Sequence, residues 1–211
     1  NEGFPTDYDL PNLTAYCETC ASIGMVLWNW RMNLLTGDSK YADIVERCMY
    51  NGVLSGVSLD GRTFFYVNPL ESAGDHHRKP WYDTACCPSN VCRFIPSVGN
   101  YVYARTDKAL WVNMFIGNTA EFDGMKLRME TGYPWDGVVH LTLDDAGSGA
   151  CRQIRVRIPA WCDSWTVKVN GRPRHCRLDK GYAVLSRRWR SGDTVDLCLD
   201  VRAKAVSADP R

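Results

Sequence analysis

The period of the hydrophobic pattern changes once along the 211 residues, near residue 100, and that change constrains the fold more than any other feature. Before it, apolar side chains recur three and four apart, first through 16-YCETCASIGMVLWNWRMNLL-35, closed by Thr36 and Gly37, then through 41-YADIVERCMYNGVLSGV-57. That spacing places them on one face of a helix. A third helix is predicted over Pro88 to Val98. Pro88 is tolerated in a first turn, where its missing N–H has no partner to lose, and Pro96 disturbs the far end. From about Tyr101 the runs shorten and alternate: 110-LWVNMFI-116, 126-KLRMET-131, 138-VVHLTL-143, 153-QIRVRI-158, 165-WTVKVN-170, 182-YAVLS-186 and 194-TVDLCLDV-201. Turns such as Asn170-Gly171 and Ser191-Gly192-Asp193 fall between them at the spacing of an antiparallel sandwich. The expected fold class is therefore mixed α and β and multidomain, with a helical part over residues 1–100 and an antiparallel β-sandwich over residues 101–211.

Charge narrows the partners. Lys and Arg total 25 against 24 acids, a net charge of +1. Neither nucleic acid nor an anionic membrane is expected as a partner on that balance, and small or neutral ligands fit better. No window approaches the roughly 20 uninterrupted apolar residues of a membrane-spanning helix. The opening NEGFPTDYDL is too acidic and too polar for a secretion signal, so a cytoplasmic location is expected. The absence of an initiator Met points to a processed or partial sequence.

Chemistry concentrates in the helical part. In 81-WYDTACCPSN-90, Cys86 and Cys87 stand side by side. Adjacent side chains point apart in regular structure, so the pair is ill suited to one core position or to bonding with itself, and a partner elsewhere is expected. In 16-YCETCAS-22, Glu18 and Cys20 are two apart and converge only near a helix end or in a loop. One carboxylate and three thiols make a plausible tetrahedral set for Zn²⁺, with Cys17 as a rival ligand. Spacing alone leaves two other readings open, buried thiols and a redox dithiol. The cysteines from Cys151 onward lie in strand-like runs and read as small core hydrophobes.

Neighbouring residues have bland readings as well. A lone glutamate such as Glu2 is usually solvated, and Tyr66 reads as a core aromatic. His76 and His77 sit in the polar, Gly-containing SAGDHHRKP and are expected in an exposed loop. Asp83 and Asn90 flank the cysteines and read as turn or helix caps. Trp28 and Trp30 are two apart and cannot both face one pocket from a helix.

The runs 2-EGFPTDYDLPNLTAYCETCAS-22, 64-FFYVNPLE-71 and 81-WYDTACCPSN-90, in this order, resemble the β-L-arabinofuranosidases of glycoside hydrolase family 127, and 157-RIPAWC-162 is similar to a segment of their sandwich domain. Family members are longer, with an (α/α)₆ barrel before the sandwiches. The resemblance implies that residues 1–100 hold the last helices of that barrel, with its first half missing. It implies zinc held by Glu18, Cys20, Cys86 and Cys87, with Cys86 as nucleophile, Glu2 as general acid/base and Tyr66 against the substrate. Ser89 stands where proline is commoner in the family, at a turn position and not at a reacting atom. The implied activity is a retaining glycoside hydrolase acting on a plant-derived arabinofuranosyl oligosaccharide or glycoconjugate. A non-catalytic carbohydrate-binding or structural zinc module, with Cys86 as a closed fourth ligand, is the alternative. An incomplete barrel would also expose apolar helix faces, so self-association is expected.

Overall fold

The fold is given by a computed structural model, which describes residues 6–7, 9–149 and 151–207. Glu2 lies outside the described residues. The chain divides into two compact units, one containing the chain up to Met32 and Ile44–Val98, the other Asn33–Asp43 and Gly99–Ala205.

The predicted helices are present with altered ends. Helix α1 spans Thr19–Thr36 and helix α2 spans Ser39–Cys48. The second does not run as an α-helix to residue 57: it widens into a π turn over Met49–Val53 and then tightens into a 3₁₀ turn over Leu54–Gly56. The widening falls where Gly52 passes α1 so closely that a Cβ would lie 2.2 Å from the Ser22 Oγ. Helix α3 spans Cys86–Phe94, starting two residues before the predicted position, and continues as a 3₁₀ helix over Ile95–Tyr101. Pro96 supplies no N–H there, which favours the change of winding.

Along α1, Thr19, Ile23, Val26, Asn29 and Asn33 form a buried stripe at helical spacing, while Trp28 (65% exposed) and Leu35 (79%) leave the far side apolar and open. Val45, Met49, Val53, Cys87, Val91 and Phe94 are among the buried residues contributed by the other helices and turns. Among the described residues, no helix is long and apolar enough to cross a membrane.

Among the described residues the second unit holds eleven strands: β1 Tyr103–Arg105, β2 Ala109–Val112, β3 Asn118–Phe122, β4 Met125–Thr131, β5 Val138–Ala146, β6 Gln153–Arg157, β7 Trp165–Val169, β8 Arg172–Arg174, β9 Leu178–Asp179, β10 Tyr182–Ser186 and β11 Thr194–Leu199. They form a five-stranded sheet in the order β1-β2-β6-β10-β9 and a six-stranded sheet in the order β3-β4-β5-β11-β7-β8. Alternate residues point inward, as in β4, where Met125, Leu127 and Met129 are buried between exposed or half-buried neighbours. The expectation of an antiparallel sandwich needs one correction, because β2 and β6 pair in parallel. The chain between them leaves to build β3, β4 and β5 of the other sheet, which gives the long crossover that a parallel pair requires.

Residues 33–43 belong with these sheets through a buried polar network. Asn33 Nδ2 donates to the Tyr182 hydroxyl at 2.8 Å, and that hydroxyl donates to Asn113 Oδ1 at 2.6 Å. Arg157, fully buried, donates from Nε to the Asn113 carbonyl at 2.5 Å and pairs through Nη1 with Asp43 at 2.6 Å. A charge buried in this way is tolerated only because both kinds of partner are present.

Candidate metal centre

Three short backbone contacts build the centre in the first unit. Segment 17–19 lies antiparallel to segment 66–68: the Asn68 N–H donates to the Cys17 carbonyl at 2.8 Å, Glu18 bridges Val67, and the Thr19 N–H donates to the Tyr66 carbonyl at 3.0 Å. Thr19 Oγ1 reinforces the join, donating to the Phe65 carbonyl at 3.1 Å and accepting from Asn68 Nδ2 at 2.9 Å. Glu18 therefore stands just ahead of α1 while Cys20 is in its first turn, which removes the obstacle that a regular helix would place between residues two apart.

Cys86 and Cys87 enter from the start of α3. Pro88, third in that helix, occupies a position whose N–H would have no intrahelical partner. Ser89 Oγ donates to the Ala85 and Cys86 carbonyls at 2.6 and 3.0 Å. The expectation that adjacent cysteines would point apart does not hold at this helix end. Both sulfurs reach Glu18 Oε1 at 3.5 Å, and Cys86 Sγ lies 3.1 Å from Cys20 Sγ. One donor atom from each of Glu18, Cys20, Cys86 and Cys87 falls within 4.8 Å of all the others. Cys17 is not among them, and neither is His76 or His77. His76 sits in an exposed loop, stacked on Phe65 at 4.6 Å with its Nε2 at 2.8 Å from the Val67 carbonyl.

The donor set fits zinc. Four tetrahedral ligands at the usual zinc distances stand about 3.3–3.8 Å from one another, a spacing the observed separations bracket, and thiolates with a carboxylate are ligands zinc takes readily. The electrostatics point the same way. Burial pushes the Cys87 thiol well up, and burial with the hydrogen bond to Cys86 raises Cys20, so the protein by itself disfavours the thiolates. A cation among the four groups reverses that preference.

Burial separates the two adjacent cysteines. Cys87 has no exposed surface, whereas Cys86 is half-buried. Tyr66 borders Cys86: the hydrogen bond with the Cys86 side chain raises the phenol's pKa, with burial and the Cys86 and Glu18 charges adding to the rise. Tyr82 fixes this tyrosine. Its hydroxyl accepts from the Tyr66 N–H at 3.1 Å and donates to the Phe64 carbonyl at 2.8 Å, and the two rings meet edge to face at 5.5 Å.

Asn90 has a larger part than a cap. Its Nδ2 donates to Cys20 Sγ at 3.3 Å, and this bond partly offsets the rise in the Cys20 pKa. The signal was available in the spacing, since Asn90 follows Cys86 by four positions on one helix and so shares its face. The role of Tyr82 had no comparable signal, because its partners come from residues 64–66 through a fold contact.

Comparison with known proteins bears on both units. Residues 1–100 match the profile of the β-L-arabinofuranosidase GH127 catalytic domain and residues 109–201 that of the GH127 middle domain. The chain is 39% identical over its whole length to a non-reducing end β-L-arabinofuranosidase of Bifidobacterium longum subsp. longum, of which it covers 34%. Among solved structures it resembles a GH127 β-arabinofuranosidase (43% identity, TM-score 0.87, covering 93% of this chain and 34% of that one). It also resembles a GH127 β-L-arabinofuranosidase from Geobacillus stearothermophilus T6 (41% identity, TM-score 0.86, 98% and 35%). The chain thus spans about a third of the length of these relatives.

Proposed function

The chain belongs to glycoside hydrolase family 127, and from that membership we propose that the enzyme containing it is a retaining glycosidase that cleaves β-L-arabinofuranosidic linkages in plant-derived saccharides or glycoconjugates. Residues 1–100 would supply the last helices of its (α/α)₆ barrel and residues 101–211 a β-sandwich. The observation that carries the reading is the convergence of one carboxylate and three thiols, within the segment matched by the catalytic-domain profile.

Glu18, Cys20, Cys86 and Cys87 would hold the zinc, which supplies the positive charge that keeps cysteine sulfur ionised at neutral pH. Cys86 is assigned as nucleophile because it alone of the adjacent pair has surface that a sugar can reach. Cys87, sealed in the core, is an anchor. Tyr66 contacts the Cys86 sulfur and is positioned to orient the sugar beside it.

In the proposed reaction the Cys86 sulfur bonds to the anomeric carbon as the glycosidic C–O bond breaks, and Glu2 donates its proton to the leaving oxygen. Glu2, now a carboxylate, then takes a proton from water, whose oxygen attacks the anomeric carbon and returns the sulfur as thiolate. Two inversions give net retention. The test is arabinose release from an aryl β-L-arabinofuranoside by the full-length enzyme, with the anomer of the first product read by NMR. Cys86→Ser should lower turnover by at least about a thousandfold, because an alcohol is a far poorer nucleophile than a thiolate. Near-normal turnover, or an inverted first product, would rule the scheme out.

The exposed apolar side of α1, including Trp28 and Leu35, supports self-association of the 211-residue chain when it is made alone. Sedimentation as a stable monomer would contradict this.

A further inference from the structure

The stretch from Arg172 to Arg190 carries seven Lys or Arg residues against one Asp, in a chain whose overall charge is only +1. The fold gathers part of this charge into one place. A groove of about 590 Å³ opens between β8 at the edge of the six-stranded sheet and β10 of the other sheet. Its volume lies in the range of small-molecule sites, about 300–1,000 Å³. Arg174, His175 and Arg187 line it over an apolar floor that includes Val169 and Leu185, and no Asp or Glu is among its lining residues.

The register explains how the guanidinium groups reach it. Arg172 and Arg174 lie directly across from Val169 and Val167. Directly opposed residues share a face of the sheet, and both valines are buried, so the two arginines point to the inner side of an edge strand. Inward charge at an edge also blocks strand addition, but one charge is enough for that. Here a second arginine arrives from a different strand. Arg187 follows β10, is held by Asp193 at 3.4 Å and lies over the Trp189 ring at 5.3 Å. Arg174 has no ion-pair partner among the described residues. Arg187 already has a carboxylate partner, whereas the Arg174 guanidinium lines a cavity whose described lining residues offer it none.

We propose that this groove binds the carboxylate groups of an acidic oligosaccharide, with Arg174 and Arg187 taking the carboxylates and Val169 and Leu185 lying under an apolar sugar face. Planar forked donors suit carboxylates, and the apolar floor suits the C–H face of a ring. The choice of a saccharide over another polyanion rests on the glycosidase reading above. Single-stranded nucleic acid is disfavoured by the lining itself, which offers no Phe, Tyr or Trp ring for base stacking.

The test is calorimetric titration of the full-length enzyme at low salt with a galacturonate hexamer, its methyl ester, and a single-stranded oligonucleotide of equal charge. The acid hexamer is expected to bind, and binding should weaken about tenfold or more in Arg174→Ala and on methyl esterification. Arg174→Lys should recover part of the loss, which separates a charge effect from a folding defect. Absence of hexamer binding, equal binding by Arg174→Ala, or tighter binding of the oligonucleotide would overturn the proposal. Hydrolysis of an uncharged aryl arabinofuranoside by the same wild-type preparation is scored separately. Its absence would overturn the glycosidase reading alone, while hexamer binding lost in Arg174→Ala would still support the groove.

Discussion

Cys20 and Cys86, 66 positions apart in the chain, bring their sulfurs to 3.1 Å of each other while remaining free thiols. One sits in the first turn of α1 and the other opens α3, so two helix starts meet at the centre of the site. This proximity predicts a redox behaviour that depends on metal. Stripped with a chelator and treated with a mild oxidant, the protein should form a Cys20–Cys86 disulfide, and zinc should prevent it, because the sulfurs are then committed to the metal. Peptide mapping by mass spectrometry reads the cross-link. Equal oxidation with and without zinc, or a cross-link elsewhere, would argue against a shared metal site.

Asn90 tests the support around the ligands. Its side chain donates to the Cys20 sulfur and touches no other member of the cluster through a hydrogen bond among the described residues. Residues that orient ligands commonly contribute about 10- to 100-fold to metal affinity. Asn90→Leu is expected to weaken zinc binding within that range in a chelator competition, without changing the one-to-one stoichiometry. Unchanged affinity would reduce Asn90 to a helix-surface residue.

The polar network around Tyr182 makes a separate prediction about the β unit. Tyr182→Phe removes a hydroxyl that accepts from Asn33 and donates to Asn113, so Asn113 Oδ1 and one Asn33 amide hydrogen lose that partner while Asn33 keeps its bond to the Asp38 carbonyl. The expected loss is about 1–3 kcal/mol in urea unfolding. Burial pushes the Tyr182 phenol, and likewise that of Tyr103, up to about 12. An unfolded tyrosine ionises near pH 10. Their contribution to stability is therefore complete below about pH 10 and is lost as pH rises from there through about 12. Wild-type protein should unfold in this alkaline window, and Tyr182→Phe should show a shallower decline. An identical alkaline slope in the two proteins would mean that Tyr182 does not titrate as its burial demands.

How much of this could be read from the sequence differs by element. The change of period near residue 100 identified α1 and the longer strands, because a helix stripe such as Ile23, Val26 and Asn29 and an alternation such as Met125, Leu127 and Met129 are local patterns. Strands β1, β3, β8 and β9 were missed: they are two to five residues long and owe their conformation to their neighbours in the sheet. The parallel pairing of β2 with β6 was missed for the same reason, since it is set by which sheet the intervening chain joins. The quartet of Glu18, Cys20, Cys86 and Cys87 was legible as a set of residue types and, through the family motifs, as a candidate ligand set that the fold brings together. What the sequence did not supply was how adjacent cysteines could both turn to one centre, which they do because they lie at a helix start. There the other two donors approach from a segment that pairs with residues 66–68.

The most direct test of the centre is metal content. Full-length protein purified without added metal or chelator should carry about one zinc per chain by inductively coupled plasma mass spectrometry. A Cys87→Ala variant, shown to be folded by circular dichroism, should carry essentially none. Wild-type protein that is folded and free of zinc, or a Cys87→Ala variant that keeps a full equivalent, would contradict the assignment of Glu18, Cys20, Cys86 and Cys87 as a zinc site.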